Sequence, residues 1–230
     1  APQPDPRPAI LQFHRQLAER NIRLVLMPVP GKPTIHPDKF SSRYDKGWMT
    51  IHNPSYVLFV DELRDEGVLI CDVADALAES RERSGDSVYL ATDTHWRPEA
   101  VELAVAELAR LIEAEIPLDA TSLRRYVHQP PKEVKNLGDI AMMLRMRRHQ
   151  SVFSEEVATI RPVFEVSGEP WQPEPSAEVL VLGDSFANIY SLEMMNWGRA
   201  AGLAEQLSFA LQRPVDTILQ NDAGAYATRQ

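Results

Sequence analysis

An apolar segment runs directly into a short polar turn at Val179-Leu180-Val181-Leu182-Gly183-Asp184-Ser185-Phe186. The apolar run predicts a buried strand, and Gly183 permits a tight turn after it. Ligands bind at the carboxyl ends of strands in open α/β sheets, so Ser185 holds a position typical of functional residues. At the start of a following helix, its backbone N–H could also hold an oxyanion. The alternative is that Asp184 or Ser185 merely caps that helix.

A second polar turn, Asp93-Thr94-His95-Trp96, also follows an apolar segment and precedes a helix opened by Pro98. A serine nucleophile needs a neutral imidazole to take its proton and a carboxylate to hold that imidazole in the right tautomer. We therefore predict Ser185 as nucleophile, His95 as base and Asp93 as orienting acid. Two alternatives stay open: an Asp–His metal site, for which the sequence offers no matching further ligand cluster, and a capped helix carrying a surface Asp–His pair.

A third polar residue, Asn221, comes just past another apolar segment, Val215–Leu219. Its side-chain amide could donate to a developing oxyanion beside the Ser185 N–H. The alternative is a turn-forming Asn-Asp pair before Gly224.

The rest of the chain alternates helical and strand patterns, which predicts one α/β domain over residues 1–230. We expect a three-layer α/β/α arrangement around a mostly parallel sheet, an irregular stretch at 28–53 and a small β-rich insertion around 146–176. The expected helices cover about 8–17, 53–65, 72–84, 98–112 and 203–212. The expected strands cover 22–27, 68–71, 87–90, 152–153, 160–166, 178–182 and 215–219.

Composition restricts the function. The 230 residues carry a formal net charge of −9, so the surface as a whole does not attract nucleic acid. Cys71 is the only cysteine, which excludes an intrachain disulfide. The sequence contains neither an 18-residue apolar run nor a signal peptide. We expect an N-terminal signal or anchor to have preceded residue 1, and the native protein to continue past residue 230.

The two catalytic blocks resemble those of a known superfamily. Gly183-Asp184-Ser185-Phe186 is similar to the serine block of the SGNH hydrolases. Asp93-Thr94-His95-Trp96 resembles the Asp/His block of a permuted branch, the periplasmic alginate O-acetyltransferases AlgJ and AlgX, in which this block precedes the serine. Weaker similarities are Val29-Pro30-Gly31-Lys32-Pro33, Arg213-Pro214-Val215-Asp216 and Gln220-Asn221-Asp222-Ala223-Gly224-Ala225.

The resemblance implies that Ser185 takes an acetyl group and passes it to hydroxyls of an exopolysaccharide such as alginate. It implies a periplasmic protein that needs no cofactor, a membrane-bound O-acyltransferase as acetyl donor, and a monomer or weak complex member. Gly198 and Gly202 are the candidates for the oxyanion glycine. A carbohydrate acetylesterase with the same triad, or a non-catalytic polysaccharide-binding scaffold, are the competing functions.

Substrate contacts are predicted at four residues. Arg145 and Arg148 lie in the densest basic run, residues 144–149, and arginine pairs well with uronate carboxylates. Trp96, like Trp171 and Trp197, could stack on a sugar ring, and Lys32 could line the site from the first long loop. The alternatives are a solvated basic face, buried tryptophans and an exposed loop lysine.

Overall fold

The computed structural model describes residues 5–44, 50–146 and 150–221. Its helices are α1 Arg7–Ala18, α2 Lys32–Ile35, α3 Pro37–Phe40, α4 Tyr56–Asp65, α5 Ala74–Ser84, α6 Pro98–Glu115, α7 Asp139–Met143, α8 Ser185–Asn188 and α9 Leu203–Leu211. Its strands are β1 Val25–Leu26, β2 Leu69–Ile70, β3 Tyr126–His128, β4 Lys132–Asn136, β5 Glu156–Ile160, β6 Val163–Glu165, β7 Val179–Gly183 and β8 Val215–Leu219.

Two of the described strand pairs are parallel, as the alternating pattern predicted. β1 pairs with β2, and β7 pairs with β8 from Val179 opposite Val215 to Gly183 opposite Leu219. The α/β class is confirmed. Within the described ranges, however, the strands pair in twos rather than in one continuous sheet. One reason is that the expected strand at 87–90 contributes only an isolated bridge, Tyr89 opposite Trp96, because the chain turns back sharply at Asp93.

The β-rich part begins earlier than the sequence indicated. Antiparallel pairs β4–β5 and β3–β6 place it at 126–165 instead of 146–176, and residues 152–153 are not a strand. The alternation of apolar and polar residues did not predict β4, because this strand, Lys-Glu-Val-Lys-Asn, contains a single apolar residue, Val134. The stretch expected to be irregular, 28–53, contains α2 and α3, each with a proline in its first turn.

The core is built around α6, whose buried residues recur at helical spacing: Val101, Ala104, Val105, Leu108 and Ile112. α6 packs against α9, and the fully buried rings of Trp96 and Trp197 belong to the same apolar cluster. A smaller cluster of Val60, Leu63, Val68 and Ile70 lies between α4 and β2, and α1 packs on it through Ile10 and Leu11. None of the described helices combines the length and apolar character needed to cross a membrane.

Candidate active site

The turn that follows Leu90 buries a carboxylate against an imidazole. Asp93 and His95 are 2% and 4% exposed. Asp93 Oδ1 lies 2.6 Å from His95 Nδ1 and also accepts the His95 backbone N–H at 3.1 Å. This geometry places the ring proton on Nδ1 and leaves Nε2 as the proton acceptor, which is the tautomer that a general base requires.

The second carboxylate oxygen of Asp93, Oδ2, accepts two hydrogen bonds, as Oδ1 does. Oδ2 accepts hydrogen bonds from Trp197 Nε1 at 2.9 Å and from the Asp139 backbone N–H at 3.0 Å. Burial alone would raise the pKa of Asp93, but the hydrogen bonds from His95, Trp197 and Asp139 outweigh it and lower that pKa to about 2. Asp93 is therefore ionised at neutral pH.

Lys32 stabilises this turn through hydrogen bonds to its backbone carbonyls. Its Nζ donates to the carbonyl oxygens of Leu90, Ala91 and Asp93 at 2.5, 3.1 and 2.9 Å. Burial lowers the pKa of Lys32, while the charges of nearby carboxylates oppose that shift. Because these three carbonyls match the three N–H groups of the ammonium, Lys32 holds the turn that contains Asp93 and His95 in place. A direct contact with substrate stays a prediction.

Gly138 lies against the same turn and was not foreseen from the sequence. Its φ is +87°, and a Cβ added there would lie 2.4 Å from the Thr92 carbonyl oxygen. Only glycine allows this close approach, which brings the Asp139 N–H to Asp93. A Gly-Asp pair is so common in loops that the sequence could not have indicated this contact with Asp93.

The segment that contains Ser185 contacts His95 through the ring of Phe186. Ser185 is the first residue of α8, and Asp184 caps that helix by accepting the Phe186 N–H at 3.0 Å. The Phe186 ring centroid lies 4.8 Å from that of His95, and its carbonyl accepts Trp96 Nε1 at 3.0 Å. Two segments 90 residues apart in sequence are thus joined at the predicted triad.

His95 Nε2 is buried and has no hydrogen-bond partner in the described part of the chain. The described residues also include no hydrogen bond between this nitrogen and Ser185 Oγ. Catalytic hydrogen bonds are often long without substrate and tighten when it binds. The serine–histidine contact therefore stays a prediction, supported by the position of Phe186.

Asn221 lies beside α8, where the sequence placed it. Its Oδ1 accepts from Asn188 Nδ2 at 2.8 Å, and its Nδ2 faces Met195 Sδ at 3.4 Å. A thioether is a weak acceptor, so this N–H can be exchanged for a stronger oxyanion contact. The oxyanion role of Asn221 stays a prediction.

Neither candidate oxyanion glycine has open space at its Cα. A Cβ on Gly198 would meet Ile160 at 2.5 Å, and one on Gly202 would meet Ser191 Oγ at 1.9 Å. Close packing is enough to explain both glycines.

The structure also locates the tryptophans and one of the arginines that were predicted to contact substrate. Trp96 is 0% exposed, so no face of its indole is available to a sugar, and the expectation of stacking is wrong for this residue. Trp171 and Trp197 are also buried, with Nε1 donating to Ser208 and Asp93 respectively. Arg145 is exposed just past α7, and its contact with substrate stays a prediction. Arg148 lies outside the described residues.

The sequence left a metal site open as an alternative, and three described residues lie close enough together to be considered as its ligands. Asp93, His95 and Asp139 offer ligand atoms within 4.8 Å of one another. Both oxygens of Asp93 already accept hydrogen bonds, and Asp139 Oδ1 accepts the Thr94 N–H at 2.7 Å. This arrangement favours orientation of the histidine over metal ligation.

Comparison with known families identifies the family of this chain. The family model for the SGNH hydrolase-like domain of the acetyltransferase AlgX matches residues 1–226. The chain belongs to this family. The resemblance seen in the sequence is thereby confirmed, together with the SGNH hydrolase-like fold that it implied.

Relatives of known name lie in the same group. A probable alginate O-acetylase AlgJ of Pseudomonas fluorescens is 28% identical over 137 residues, which cover 59% of this chain and 34% of that protein. The AlgJ of Azotobacter vinelandii is 30% identical over 105 residues, 45% of this chain and 26% of its own length. The matched part therefore spans about a third or less of these curated relatives.

Two solved structures share the fold of this family member. The O-acetyltransferase domain of Pseudomonas putida AlgJ aligns with a TM-score of 0.72 and 18% identity, over 96% of this chain and 73% of the other. Pseudomonas aeruginosa AlgX aligns with a TM-score of 0.66 and 14% identity, over 92% and 48%. At these identities the likeness concerns the fold.

Proposed function

We propose that this domain is an O-acetyltransferase that moves an acetyl group through Ser185 onto a hydroxyl of an acidic exopolysaccharide such as alginate. The observation that carries the proposal is the buried Asp93–His95 pair, joined at 2.6 Å, whose ring packs on the residue after Ser185. The family supports the reaction class, and the relatives named alginate O-acetylase support the acceptor.

The residues have distinct roles in the proposed reaction. Ser185 Oγ attacks the acetyl carbonyl carbon while His95 Nε2 takes the hydroxyl proton. Asp93 keeps its charge, holds Nδ1–H and stabilises the imidazolium. The Ser185 N–H and Asn221 Nδ2 donate to the oxyanion, and the imidazolium then protonates the leaving group.

The second half reverses these steps. The acceptor hydroxyl gives its proton to His95 Nε2 and attacks the acetyl-serine carbonyl. The tetrahedral intermediate collapses, the acetyl group leaves on the sugar, and Ser185 Oγ recovers a proton from the imidazolium. If water replaced the sugar, the same residues would constitute an acetylesterase.

The setting of the reaction is part of the proposal. We place the domain in the periplasm, anchored through a segment that precedes residue 1, with a polysaccharide acceptor and acetyl supplied by a membrane-bound O-acyltransferase. It acts without a cofactor, as a monomer or a weakly associated member of a complex, and residues 1–230 form one catalytic domain. AlgJ relatives are named for alginate, which is the reason for choosing a uronate polymer.

An acetyl-partition experiment tests the reaction. The protein is given an activated acetyl ester with increasing amounts of an oligouronate, and acetate and acetylated sugar are both quantified. A transferase diverts acetyl from acetate to sugar as the acceptor rises. An esterase releases acetate at a rate that the acceptor leaves unchanged, and a scaffold protein does neither, so either result rejects the transferase.

A further inference from the structure

A second carboxylate lies beside the imidazole of His95. Asp139 is the first residue of α7, and its Oδ2 lies 4.0 Å from His95 Nδ1. Asp93 Oδ1 is the nearer neighbour of the same nitrogen, at 2.6 Å. The side chains of Asp139 and His95 are 28% and 5% exposed. Two carboxylates therefore lie on one side of this buried ring, although the proposed reaction uses the side chain of Asp93 alone.

Asp139 is held in this position by hydrogen bonds between α7 and the turn. Its Oδ1 accepts the Thr94 N–H at 2.7 Å, and its own backbone N–H donates to Asp93 Oδ2 at 3.0 Å. The Ala141 N–H also donates to the Thr92 carbonyl at 3.2 Å. Because the turn engages Oδ1, the carboxylate keeps Oδ2 beside the imidazole.

A carboxylate at 4.0 Å acts on the ring through its charge rather than through a hydrogen bond. Hydrogen bonds from nitrogen to oxygen span about 2.7–3.2 Å, so the Nδ1–H of His95 is directed to Asp93. An opposite charge within about 4–6 Å favours the protonated ring over the neutral one. Because the ring is buried, salt screens this attraction less than it would at the surface. The charge of Asp139 can therefore stabilise an imidazolium without competing for its proton.

The elements packed against this turn add further charged groups. They come from α2, β5, the residue before α6 and the residue before α8: Lys32, Glu156, Arg97 and Asp184. Arg97 and Glu156 form an ion pair at 2.7 Å, so their charges largely cancel at the ring. Asp184 is exposed and accepts the Phe186 N–H as the cap of α8. The uncancelled positive charge among these groups is that of Lys32.

Lys32 opposes a positive charge on His95, and Asp139 counters it. The Lys32 ammonium donates to the Asp93 carbonyl at 2.9 Å, so it lies against the turn that presents the imidazole. Burial lowers the pKa of Lys32, and the charge of Asp139 is one of those that oppose this shift. The same carboxylate therefore interacts with both cations, the permanent ammonium and the imidazolium that forms during the reaction.

We infer that Asp139 is a second positioning residue for His95, whose Oδ1 fixes the turn and whose Oδ2 charge stabilises the imidazolium. In the proposed reaction the proton of Ser185 Oγ moves to His95 Nε2 as Oγ bonds to the acetyl carbon. Asp93 keeps its hydrogen bond to Nδ1–H, and Asp139 neither gains nor loses a proton. Because an imidazolium forms in both half-reactions, Asp139 assists both. This inference rests on the proposed function, in which His95 is the base.

The charge of Asp139 can be removed without removing its hydrogen bond. In Asp139→Asn the amide oxygen still accepts the Thr94 N–H, so the melting temperature should stay near that of the wild type. The His95 imidazole is titrated by NMR in Ser185→Ala protein with and without this change, and its signal is assigned by its loss in His95→Gln. We expect the midpoint to fall by about one pH unit, because the imidazolium loses an anionic neighbour. An unchanged midpoint overturns the inference.

The same variant should slow the reaction itself. With Ser185 present, we expect kcat/KM for an activated acetyl ester to fall by about tenfold and its acid limb to move to lower pH. Asp139→Ala also loses the acceptor for the Thr94 N–H, so it should melt at a lower temperature as well. If Asp139 only holds the turn, Asp139→Asn keeps the wild-type rate and profile and Asp139→Ala alone is impaired. That result contradicts a role for the charge.

A matched control tests whether the loss of any carboxylate has the same effect. Asp119 also accepts a backbone N–H, at 2.8 Å. It is exposed and lies at the other end of β7 from Ser185, where its own N–H donates to Glu178 just before that strand. Asp119→Asn should leave the His95 midpoint, the rate and the pH–rate profile unaltered. A shift as large as that in Asp139→Asn would show a general effect of net charge and overturn the inference.

The two proposals fail in different ways. The NMR titration follows protons on His95 alone, so it gives a result even if no acetyl is moved. Failure of the proposed function appears as a wild-type protein whose Ser185 takes no acetyl group. Failure of this inference appears as an unshifted midpoint and an unchanged pH–rate profile in Asp139→Asn, while Ser185 of the wild type is acetylated as expected.

Discussion

The side chain of Asp93 accepts four hydrogen bonds, from His95 Nδ1, the His95 N–H, Trp197 Nε1 and the Asp139 N–H. Because these bonds lower its pKa to about 2 from an ordinary 3.8, the ionised carboxylate contributes to stability above about pH 4. That contribution is lost as pH falls towards 2. The same bonds fix the carboxylate that orients His95, the proposed base.

Removing one donor to this carboxylate should impair catalysis more than folding. Trp197→Phe keeps a large aromatic ring but deletes the N–H that binds Asp93 Oδ2. We expect the pKa of Asp93 to rise and kcat for acetyl-ester cleavage to fall by about tenfold or more. The acid limb of the pH–rate profile should move to higher pH.

Trp171→Phe is the matched control, because it also deletes a buried indole N–H, here the donor to Ser208 Oγ at 2.7 Å. It should cost similar stability, about 1–3 kcal/mol, without altering the pH–rate profile. Equal rates and profiles in the two variants would show that the Trp197 hydrogen bond has no special part in catalysis.

At the scale of elements, α2 is tied to the catalytic turn through Lys32. Lys32→Met removes the donors to three carbonyls while keeping much of the apolar stem. We expect a loss of about 2 kcal/mol in the free energy of unfolding and a lower kcat, because the turn that presents His95 loosens. Urea unfolding and steady-state kinetics measure the two effects.

The alternative for Lys32 is the substrate contact expected from the sequence. In that case KM for the acceptor rises, while kcat and stability stay near those of the Lys135→Met control, which alters an exposed lysine of β4. The ratio of the two kinetic effects decides between support of the turn and contact with substrate.

The junction of α8 and α9 contains a buried acid. Glu205 is 4% exposed and accepts a hydrogen bond from Ser191 Oγ at 2.7 Å. Burial raises its pKa to about 7, while its hydrogen bonds only partly oppose that shift. Below about pH 4.5 the acid is protonated in both the folded and unfolded chains. As pH rises from 4.5 to 7 the unfolded chain ionises first, so the free energy of unfolding falls.

Glu205→Gln should remove this pH dependence. The free energy of unfolding of the variant minus that of the wild type is expected to grow by an amount on the order of 3 kcal/mol between pH 4.5 and 7, because groups that titrate in both proteins cancel in this difference. Urea unfolding at pH 4.5, 6 and 8 measures it, with Glu113→Gln on the exposed face of α6 as control. Parallel curves for wild type and Glu205→Gln would contradict a buried, protonated Glu205.

Helices and strands with strong periodicity were predictable, and the supporting contacts were not. α6 and β8 follow the expected positions because their apolar spacing is regular. β4 was missed because only Val134 marks its buried face. The roles of Trp197 and Gly138 at Asp93 depend on segments about 45 to 100 residues away, and a single sequence carries no signal for such distances.

The proposed catalytic residues were chosen for a different reason. Ser185 and His95 follow apolar segments whose ends meet in the folded chain, and their types limit the chemistry to few possibilities. Trp96 shows the limit of this reasoning, since the sequence does not distinguish a tryptophan that stacks on sugar from one buried in the core.

At the scale of the molecule, we expect the chain to unfold as one unit. Most buried apolar residues belong to one cluster that includes α5, α6, α9 and β8. The smaller cluster of α1, α4 and β2 lies next to it through β1, whose Val25 contacts the main cluster and whose Leu26 contacts the smaller. Calorimetry should therefore give one transition with equal calorimetric and van't Hoff enthalpies. Two resolved transitions would contradict a single domain.

The central claim is that Ser185 carries the acetyl group with His95 as its base. The most direct measurement is tandem mass spectrometry of protein quenched in acid after brief exposure to an activated acetyl ester. The account predicts an acetylated peptide with the modification on Ser185, greatly reduced in His95→Ala and absent in Ser185→Ala. Acetylation at another residue, or equal labelling in the His95→Ala protein, would contradict it.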